Sequence, residues 1–448
     1  MTDPQFLGAG LIIAAPASGS GKTLFTLGCL RYLRNAGVRI ASGKIGPDYI
    51  DPAFHSIASG SPCVNIDPWA MRPATFQHIT KKLAASADQI IVEGVMGLFD
   101  GVGLKKEPSY GSSATVASEL GWPIILIIDA AGQAASAAIV LKAFAQESPS
   151  VRIKGVVFNC VGSAKHATIL TEAALKYVPQ VKVLGCLPRD ESLILPERHL
   201  GLVQATEHPS LNNFLDHAAK WVGDNIDVRN MIDLSEPIQK KFDDSQYVPL
   251  NPFGQKIAIA YDAAFSFVYN ALLESWKNLG VEISFFSPLE DQCPSDLIDA
   301  IYLPGGYPEL HAGKLSNNFK FKESLKKAAS RGVIIYGECG GYMVLGQQLV
   351  DKNGACHKMT GLLELKTSFK EPKLHLGYRE LSLVTKSALG DVNKKFRGHE
   401  FHFASTVKYG PGTPLFSAKD AHGFDLGKVG LVNSNVCGSF IHLVDNVN

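Results

Sequence analysis

The chain has 448 residues, enough for two or three domains, and its 46% hydrophobic and 19% charged residues suit a globular protein. A formal net charge of +1 gives no electrostatic reason to expect nucleic acid or an anionic membrane as a partner, and no apolar run reaches the ~18 to 20 residues of a membrane-spanning helix. The eight cysteines stand singly with no CxxC pair, which argues against a zinc knuckle or disulfide framework and favours a reducing, cytoplasmic location.

The first half of the chain alternates short apolar runs with helical patterns. Its predicted strands are Leu11–Ala15, Arg39–Gly43, Gln89–Glu93, Pro123–Asp129 and Lys154–Asn159. Apolar residues between them have helical spacing, as in Thr23–Asn35 and Ala131–Gln146. This alternation predicts a parallel, doubly wound α/β sheet.

A second alternating pattern follows a polar stretch. The stretch runs from about Glu236 to Asn251, has little periodicity and is interpreted as a linker. The predicted strands after it are Lys256–Tyr261, Val281–Phe286, Ala300–Leu303 and Val333–Tyr336. The sequence therefore predicts an α/β protein of two doubly wound domains, residues 1–240 and 254–448, joined by a linker at 241–253.

The run LIIAAPASGSGKT ends a predicted strand in a phosphate-binding pattern. It matches GxxxxGK[ST] except that Pro16 replaces the first glycine. Gly19 and Gly21 would let the backbone approach phosphates, Lys22 would reach the terminal phosphates, and the Thr23 hydroxyl would bind Mg²⁺. Because a predicted helix follows directly, a P-loop that binds ATP is favoured over an accidental glycine-rich turn.

Charged side chains follow two other predicted strands. KIGPDYIDP offers Lys44, Asp48 and Asp51, whereas IIVEGVMGLFDG offers Glu93 and Asp100. Ligands of open α/β sheets bind at the carboxyl ends of strands, so Asp48 and Glu93 are predicted Mg²⁺ partners and Lys44 a nucleotide contact. The alternative for both carboxylates is helix capping. Asp51 and Asp100 either orient a substrate or close turns.

The run VIIYGECGGYMVLG has the layout of a nucleophile elbow with Cys339 in the place of serine. We expect the N-terminus of the following helix to lower the pKa of the thiol. The Gly306 N–H, in LPGGYPEL, would hold an oxyanion together with the Gly340 N–H. The alternatives are a buried structural cysteine and a plain glycine turn.

A thiolate nucleophile needs a base, and three histidines compete for that role. GSFIHL ends a predicted strand with His442, whereas His399 and His402 alternate in the strand-like run GHEFHF. Cysteine and histidine partners meet in space rather than in sequence, so spacing alone does not decide. The sequence favours His442 and leaves the other two open.

Nine motifs, in order over nearly the whole chain, together resemble the cobyrinic acid a,c-diamide synthase family. They are SGSGKT, KIGPDYIDP, EGVMGLFDG, PERHLGL, AFSFVYNALLE, LPGGYPELHA, YGECGGYMVLG, GHEFHF and GSFIHL. The resemblance implies an N-terminal P-loop amidoligase domain similar to dethiobiotin synthetase and a C-terminal class I glutamine amidotransferase domain. It also implies ATP and Mg²⁺ as cofactors, and glutamine and a corrinoid polycarboxylic acid as substrates.

The reaction implied by the resemblance is ATP-dependent amidation of the a and c carboxylates of cobyrinic acid, with ammonia from glutamine, in cobalamin biosynthesis. The alternatives are hydrogenobyrinic acid and another tetrapyrrole acid such as a nickel sirohydrochlorin. The implied glutaminase pair is Cys339 and His442. The implied ATP–Mg²⁺ set is Lys22, Thr23, Asp48 and Glu93. The oligomeric state stays open, with a homodimer as one alternative.

Two polar residues have weaker signals. Asn159, at the end of GVVFN, either meets a nucleotide base or is a strand-end turn residue. Arg198, in PERHLGL, either lines a groove for the polyacidic macrocycle or is a surface arginine at a helix start.

One position departs from the amidotransferase pattern. Many class I amidotransferases carry a glutamate two residues after the catalytic histidine, whereas this chain has Val444 there. The resembling family is often described by a cysteine–histidine pair, so the resemblance implies a dyad; which group orients His442 stays open.

Overall fold

A computed structural model describes residues 7–103, 109–198, 201–240, 242–243, 245–410 and 412–447. The chain divides into two compact units, one within Met1–Trp69 and Pro73–Tyr247, the other within Ala70–Arg72 and Val248–Asn448. Among the described residues, no helix has the length and apolarity needed to cross a membrane.

The first unit is built on a seven-stranded parallel sheet. Its strands are β1 (Ala9–Ala14), β2 (Ile40–Ile45), β3 (Val64–Ile66), β4 (Gln89–Glu93), β5 (Ile124–Asp129), β6 (Ile153–Val161) and β7 (Lys182–Pro188). They lie in the order β3-β2-β4-β1-β5-β6-β7. Successive residues of the central strands are buried, as in a parallel sheet covered on both faces. The predicted α/β class is confirmed.

Helices and a small hairpin complete the first unit. The helices are α1 (Lys22–Asn35), α2 (Asp51–Ser59), α3 (Pro73–Ser86), α4 (Ser113–Leu120), α5 (Ala135–Glu147), α6 (Ala164–Tyr177), α7 (Leu211–Asn225) and α8 (Val228–Asp233). The hairpin pairs β8 (Glu197–Arg198) with β9 (Gly201–Leu202). The sequence analysis did not predict β3 or β7, because these edge strands are short or partly exposed and lack a continuous apolar run.

The second unit contains a ten-stranded mixed sheet. Its strands are β10 (Lys256–Ala260), β11 (Glu282–Phe286), β12 (Ala300–Leu303), β13 (Ile334–Glu338), β17 (His375–Leu383), β18 (Lys395–His402), β20 (Thr413–Asp420), β21 (Asp425–Asn433), β22 (Val436–Ser439) and β23 (Ile441–Asn446). Strands β11-β10-β12-β13-β22 are parallel, whereas β22-β21-β20-β17-β18-β23 are antiparallel. The strands predicted from the second alternating pattern all lie in the parallel half of the sheet, and that pattern did not extend to the antiparallel half.

The remaining elements flank that sheet. They are the helices α9 (Asn270–Asn278), α10 (Ala312–Asn317), α11 (Phe319–Ser330) and α12 (Gly340–Leu345), and a four-stranded sheet of β14 (Gln348–Val350), β15 (Cys356–Lys358), β16 (Leu365–Ser368) and β19 (Ser405–Tyr409). Successive residues of β12 and β13 point to opposite faces of the sheet, and each face packs in its own hydrophobic core. Ile301 and Ile335 belong to one core, and Tyr302 and Tyr336 belong to the other. The two buried tyrosines thus share a face with Glu338 at the end of β13.

Candidate functional site

The P-loop follows β1 and opens α1, as its sequence predicts. Gly19 and Gly21 have positive φ angles of 76° and 92°, a region that glycine enters without strain. A Cβ on Gly21 would lie 2.2 Å from the amide nitrogen of Asn159. That nitrogen donates a hydrogen bond to the Ser20 carbonyl at 3.0 Å. Asn159 therefore supports the loop, a contact that neither of its two predicted roles included.

Lys22 is buried inside the same loop. Its ammonium donates to the carbonyls of Ala17 (3.1 Å) and Met96 (2.7 Å). Burial lowers the pKa of Lys22 to about 8, although the nearby Glu93 carboxylate acts to raise it. The side chain is thus held at the loop with backbone oxygens as its partners.

A buried cluster of charges lies at the carboxyl ends of β2 and β4. Glu93 Oε1 accepts hydrogen bonds from Thr23 Oγ1 at 2.6 Å and Lys44 Nζ at 2.7 Å, and Glu93 Oε2 lies 2.7 Å from His55 Nε2. Lys44 Nζ also contacts Asp51 Oδ2 at 2.5 Å. The sheet therefore brings together four of the residues singled out from the sequence, Thr23, Lys44, Asp51 and Glu93.

The protonation states of this cluster follow from burial and pairing. Burial acts against the charge on Lys44, but the Asp51 and Glu93 carboxylates outweigh it and raise its pKa. Burial likewise opposes the Glu93 charge, but Lys44 and His55 lower its pKa below the usual range. Burial raises the pKa of Asp51 to about 7. Glu93 therefore stays ionised at neutral pH, whereas Asp51 gains or loses its proton near pH 7.

His55 is a functional candidate that the sequence analysis missed. Burial opposes its protonation, but the Cys63 sulfur, 3.7 Å from Nδ1, and the Glu93 carboxylate raise its pKa to about 10. Its position on α2, four residues after Asp51, places both side chains on one helix face. That spacing was a usable signal, but α2 was not among the predicted helices.

Two of the predicted carboxylates close turns in this structure. Asp48 Oδ1 accepts the backbone N–H groups of Ile50 (2.8 Å) and Asp51 (3.1 Å). Asp100 Oδ2 accepts the Gly97 N–H at 2.9 Å. These contacts match the alternatives given from the sequence, which were helix capping for Asp48 and turn closure for Asp100.

Arg198 lies on β8, on a two-stranded hairpin rather than at the start of a helix. Its guanidinium nitrogens contact both carboxylate oxygens of Glu207, at 2.7 and 2.8 Å. The pair is partly buried.

The second unit contains the predicted elbow. Cys339 stands between β13 and α12 with φ 47° and ψ −103°, and its N–H donates to the Ser439 carbonyl at 2.8 Å. A Cβ on Gly341 would lie 1.9 Å from the Leu303 carbonyl oxygen, so no larger residue fits there. The glycines after Cys339 thus allow the tight turn from strand to helix.

His442 and Cys339 both lie beside Gly305 in the structure. A Cβ built on Gly305 would lie 2.9 Å from His442 Nε2 and 3.3 Å from Cys339 Cβ, so the two residues border the same point. The Cys339 sulfur itself lies 3.9 Å from the carbonyl oxygen of Phe401, on β18. His399 lies opposite His442 in the β18–β23 ladder. His402 instead bonds to a glutamate of its own strand. The shared position beside Gly305 therefore favours His442 as the partner of Cys339.

The two predicted oxyanion donors lie beside this pair. Gly306 follows β12, and a Cβ on Gly340 would lie 3.1 Å from the Gly306 nitrogen. The backbones of the two loops therefore meet directly next to Cys339.

The expectation of a lowered thiol pKa is wrong for this structure. Burial raises the pKa of Cys339 above the usual thiol range, and the opposing hydrogen bond from the Gly340 N–H is too weak to reverse it. Burial, with His399 and His402 nearby, lowers the pKa of His442 to about 3. The pair is therefore a neutral thiol beside a neutral imidazole.

A second polar cluster in the same unit consists of His375, Glu400 and His402, whose candidate ligand atoms lie within 4.8 Å of one another. His402 Nε2 lies 2.9 Å from Glu400 Oε1, and Arg379 Nε lies 2.7 Å from Glu400 Oε2. Burial opposes the charge of Glu400, yet His402 and Arg379 lower its pKa to about 2. Both carboxylate oxygens thus already have cationic or hydrogen-bonding partners.

Comparisons with known proteins match both units. Residues 11–203 match the CobQ/CobB/MinD/ParA nucleotide-binding domain, and residues 256–447 match the CobB/CobQ-like glutamine amidotransferase domain. A hydrogenobyrinate a,c-diamide synthase of Brucella anthropi is 50% identical over 97% of this chain and 98% of its own. The chain belongs to the cobyrinic acid a,c-diamide synthase family. A Rhizobium meliloti protein of the same name is 48% identical over 97% of this chain and 99% of its own.

Membership of this family confirms the predicted enzyme class, a glutamine-dependent amidating ligase. The nucleotide-binding domain implies ATP binding. The structure of PurLQS from Thermotoga maritima covers 42% of this chain and 87% of its own at 21% identity, and its TM-score of 0.29 is too low to support any argument.

Proposed function

We propose that this protein uses ATP to amidate the a and c carboxylates of hydrogenobyrinic acid with ammonia taken from glutamine. The observation that carries the amidation chemistry is the common point that Cys339 and His442 border. The macrocycle is argued from the relatives, which bear the name hydrogenobyrinate a,c-diamide synthase. Cobyrinic acid, the first expectation from the sequence, is the cobalt-containing counterpart and is the alternative that the experiment separates.

In the proposed ATP-dependent half-reaction, ATP converts a carboxylate into an acyl phosphate and ADP; ammonia then attacks the acyl carbon, so that the amide forms and inorganic phosphate leaves. The backbone of Gly19 and Gly21 would contact the phosphates, and the Lys22 ammonium would balance the charge of the transferring phosphoryl group. Lys44, fixed between two carboxylates, would add a second cation. Asn159 would hold the loop in shape through Ser20.

The donor set beside the loop fits Mg²⁺. Thr23 Oγ1 and Glu93 Oε1 lie 2.6 Å apart, and hydroxyl and carboxylate oxygens are donors that Mg²⁺ accepts. Asp48, in the loop after β2, would contribute a further carboxylate. When bound, the ion would neutralise charge on the phosphates. Asp51 and Asp100 both raise the pKa of Lys22 and so border the same site, where they would orient the acceptor.

In the proposed second half-reaction, the thiol of Cys339 attacks the amide carbon of glutamine. The S–H proton passes to Nε2 of His442, the C–S bond forms, and the backbone N–H groups of Gly306 and Gly340 hold the oxyanion. The C–N bond then breaks as His442 returns the proton to the leaving ammonia. Water hydrolyses the γ-glutamyl thioester to glutamate and regenerates the thiol.

The test is the product mass after incubation with ATP, Mg²⁺ and glutamine. Hydrogenobyrinic and cobyrinic acid are offered in parallel, and each conversion of a carboxylate to an amide lowers the mass by about 1 Da. A two-step decrease on hydrogenobyrinic acid, with ADP and glutamate formed, supports the proposal. A decrease on cobyrinic acid alone replaces the substrate, and no decrease on either while glutamine is hydrolysed rejects both macrocycles.

A further inference from the structure

The far side of the His442 imidazole faces a carboxylate on the strand that carries the nucleophile. His442 Nδ1 lies 3.6 Å from Glu338 Oε2, and the two side chains are 0% and 5% exposed. Nε2 of the same ring faces the point shared with Cys339. The imidazole thus lies between the thiol and a buried carboxylate.

Three donors fix the position of that carboxylate. Tyr302 Oη donates to Glu338 Oε2 at 2.7 Å, whereas Tyr336 Oη and the Leu443 N–H donate to Oε1, both at 3.1 Å. The tyrosine rings are buried and stack at 6.0 Å. Because Leu443 directly follows His442, the same carboxylate also anchors the strand that presents the imidazole.

These donors make an ionised Glu338 compatible with its burial. Burial raises the pKa of Glu338 to about 7, and the hydrogen bonds from Tyr302, the Leu443 N–H and Tyr336 act to lower it. At neutral pH and above, the carboxylate form of Glu338 is therefore well populated. In that form it can accept a hydrogen bond from an N–H group of His442.

This arrangement answers the question raised by Val444. Val444 is a half-buried residue two positions after His442, where many amidotransferases have a glutamate. Here Glu338, on β13, approaches the histidine from another direction, since its Oε1 accepts the Leu443 N–H and its Oε2 lies 3.6 Å from His442 Nδ1. The backbone turn at Cys339 lets Glu338 and Cys339, adjacent in sequence, lie on opposite sides of one imidazole.

We propose that Glu338 is the positioning residue of the glutaminase site: it faces the Nδ1–H of His442 and so keeps Nε2 unprotonated, in the form that takes the thiol proton of Cys339. This inference rests on the proposed glutamine hydrolysis. Through the cycle the Nδ1 proton stays on His442, while the proton that moves travels from sulfur to Nε2 and then to ammonia. Glu338 also stabilises the transient imidazolium.

The decisive variant is Glu338→Gln, which keeps the size of the side chain and removes its charge. We expect kcat for glutamine hydrolysis to fall about 100-fold, with KM for glutamine changed less than about twofold, because only proton transfer is affected. Amidation supported by a high ammonium concentration is expected to be unchanged. Tyr302→Phe, the matched control, removes one donor but keeps the carboxylate, and its loss of kcat is expected to stay below about tenfold.

A second measurement keeps the inference testable if the variant fails to fold. In ¹⁵N-histidine-labelled wild-type protein, His442 is assigned by the loss of its signals in His442→Gln. The proposal predicts a protonated Nδ1 and an unprotonated Nε2. The Nε2–H tautomer in wild type, or a folded Glu338→Gln variant with wild-type kcat, would overturn it. Wild-type protein that hydrolyses no glutamine would instead reject the proposed function itself.

Discussion

Replacing Lys44 by methionine should expose how strongly the first unit depends on its buried charge cluster. Lys44 Nζ lies 2.5 Å from Asp51 Oδ2 and 2.7 Å from Glu93 Oε1, and the three side chains are 5%, 12% and 0% exposed. Removing one partner of a buried ion pair costs about 3–5 kcal/mol, because a buried charge is left without compensation. We expect a loss of that size in the free energy of unfolding at pH 8.5.

The cost should depend on pH in a direction set by Asp51. His55, whose pKa is raised to about 10, remains as a cation against Glu93, so the uncompensated charge falls on Asp51. The pKa of Asp51 is already raised to about 7 and must rise further without Lys44. The folded variant then binds a proton that the unfolded chain has lost, so its stability falls as pH rises above the unfolded pKa of Asp51. Wild-type Asp51 follows the same slope up to its pKa of about 7, so the two proteins differ only above that pH. At about 1.4 kcal/mol per pH unit, the destabilisation at pH 6 should therefore be smaller than at pH 8.5 by roughly 2 kcal/mol.

The assay is a urea titration of the full chain at pH 6 and 8.5, read by pulsed hydrogen–deuterium exchange and mass spectrometry of peptides from β2 and α2. Lys240→Met is the matched control, since Lys240 pairs with Glu119 at 3.1 Å with both side chains about half exposed. That pair should contribute less than about 1 kcal/mol. Equal costs for the two variants, or a cost at Lys44 that does not change with pH, would refute this reasoning.

Two further substitutions test the two sites separately. Cys339→Ala should abolish glutamine-dependent amidation but retain amidation at a high ammonium concentration, because only the nucleophile is lost. Product mass measures both activities, and the loss of both in a folded variant would contradict a separate site that uses ammonia. Gly21→Ala should weaken binding of a fluorescent ATP analogue at least about tenfold, since φ is 92° and the new Cβ would lie 2.2 Å from the Asn159 amide. Gly37→Ala has a similar φ of 80° but meets nothing within 4 Å, and comparable weakening there would show that backbone strain alone explains the effect.

Local patterns predicted the parts of the sites that a few consecutive residues define. The P-loop is readable because Gly21, Lys22 and Thr23 act through the backbone and side chains of one turn between β1 and α1. The elbow is readable for the same reason, since Cys339 requires a strand before it and glycines after it. The choice of His442 over its competitors depends instead on strand pairing, which the sequence left open.

The antiparallel half of the second unit was harder to predict from the sequence. Its strands mix buried with partly exposed positions, as in β18, so they lack the continuous apolar runs that revealed the parallel strands. The thiol pKa was mispredicted for a related reason. The short helix α12 was visible in the sequence, but the complete burial of Cys339 by surrounding elements was not.

In both sites a carboxylate is held in place by hydrogen-bond donors from the surrounding side chains or backbone. In the first unit, Glu93 is held by Thr23, Lys44 and His55 at the ends of two strands. In the second, Glu338 is held by two tyrosines and one N–H. In each case the carboxylate is the last residue of a buried parallel strand, β4 or β13, so the rigid sheet fixes its backbone. A carboxylate at the end of a buried parallel strand, with several hydrogen-bond donors around it, is thus the feature that the two sites have in common, whereas the hydrogen bonds of Asp48 and Asp100 close turns.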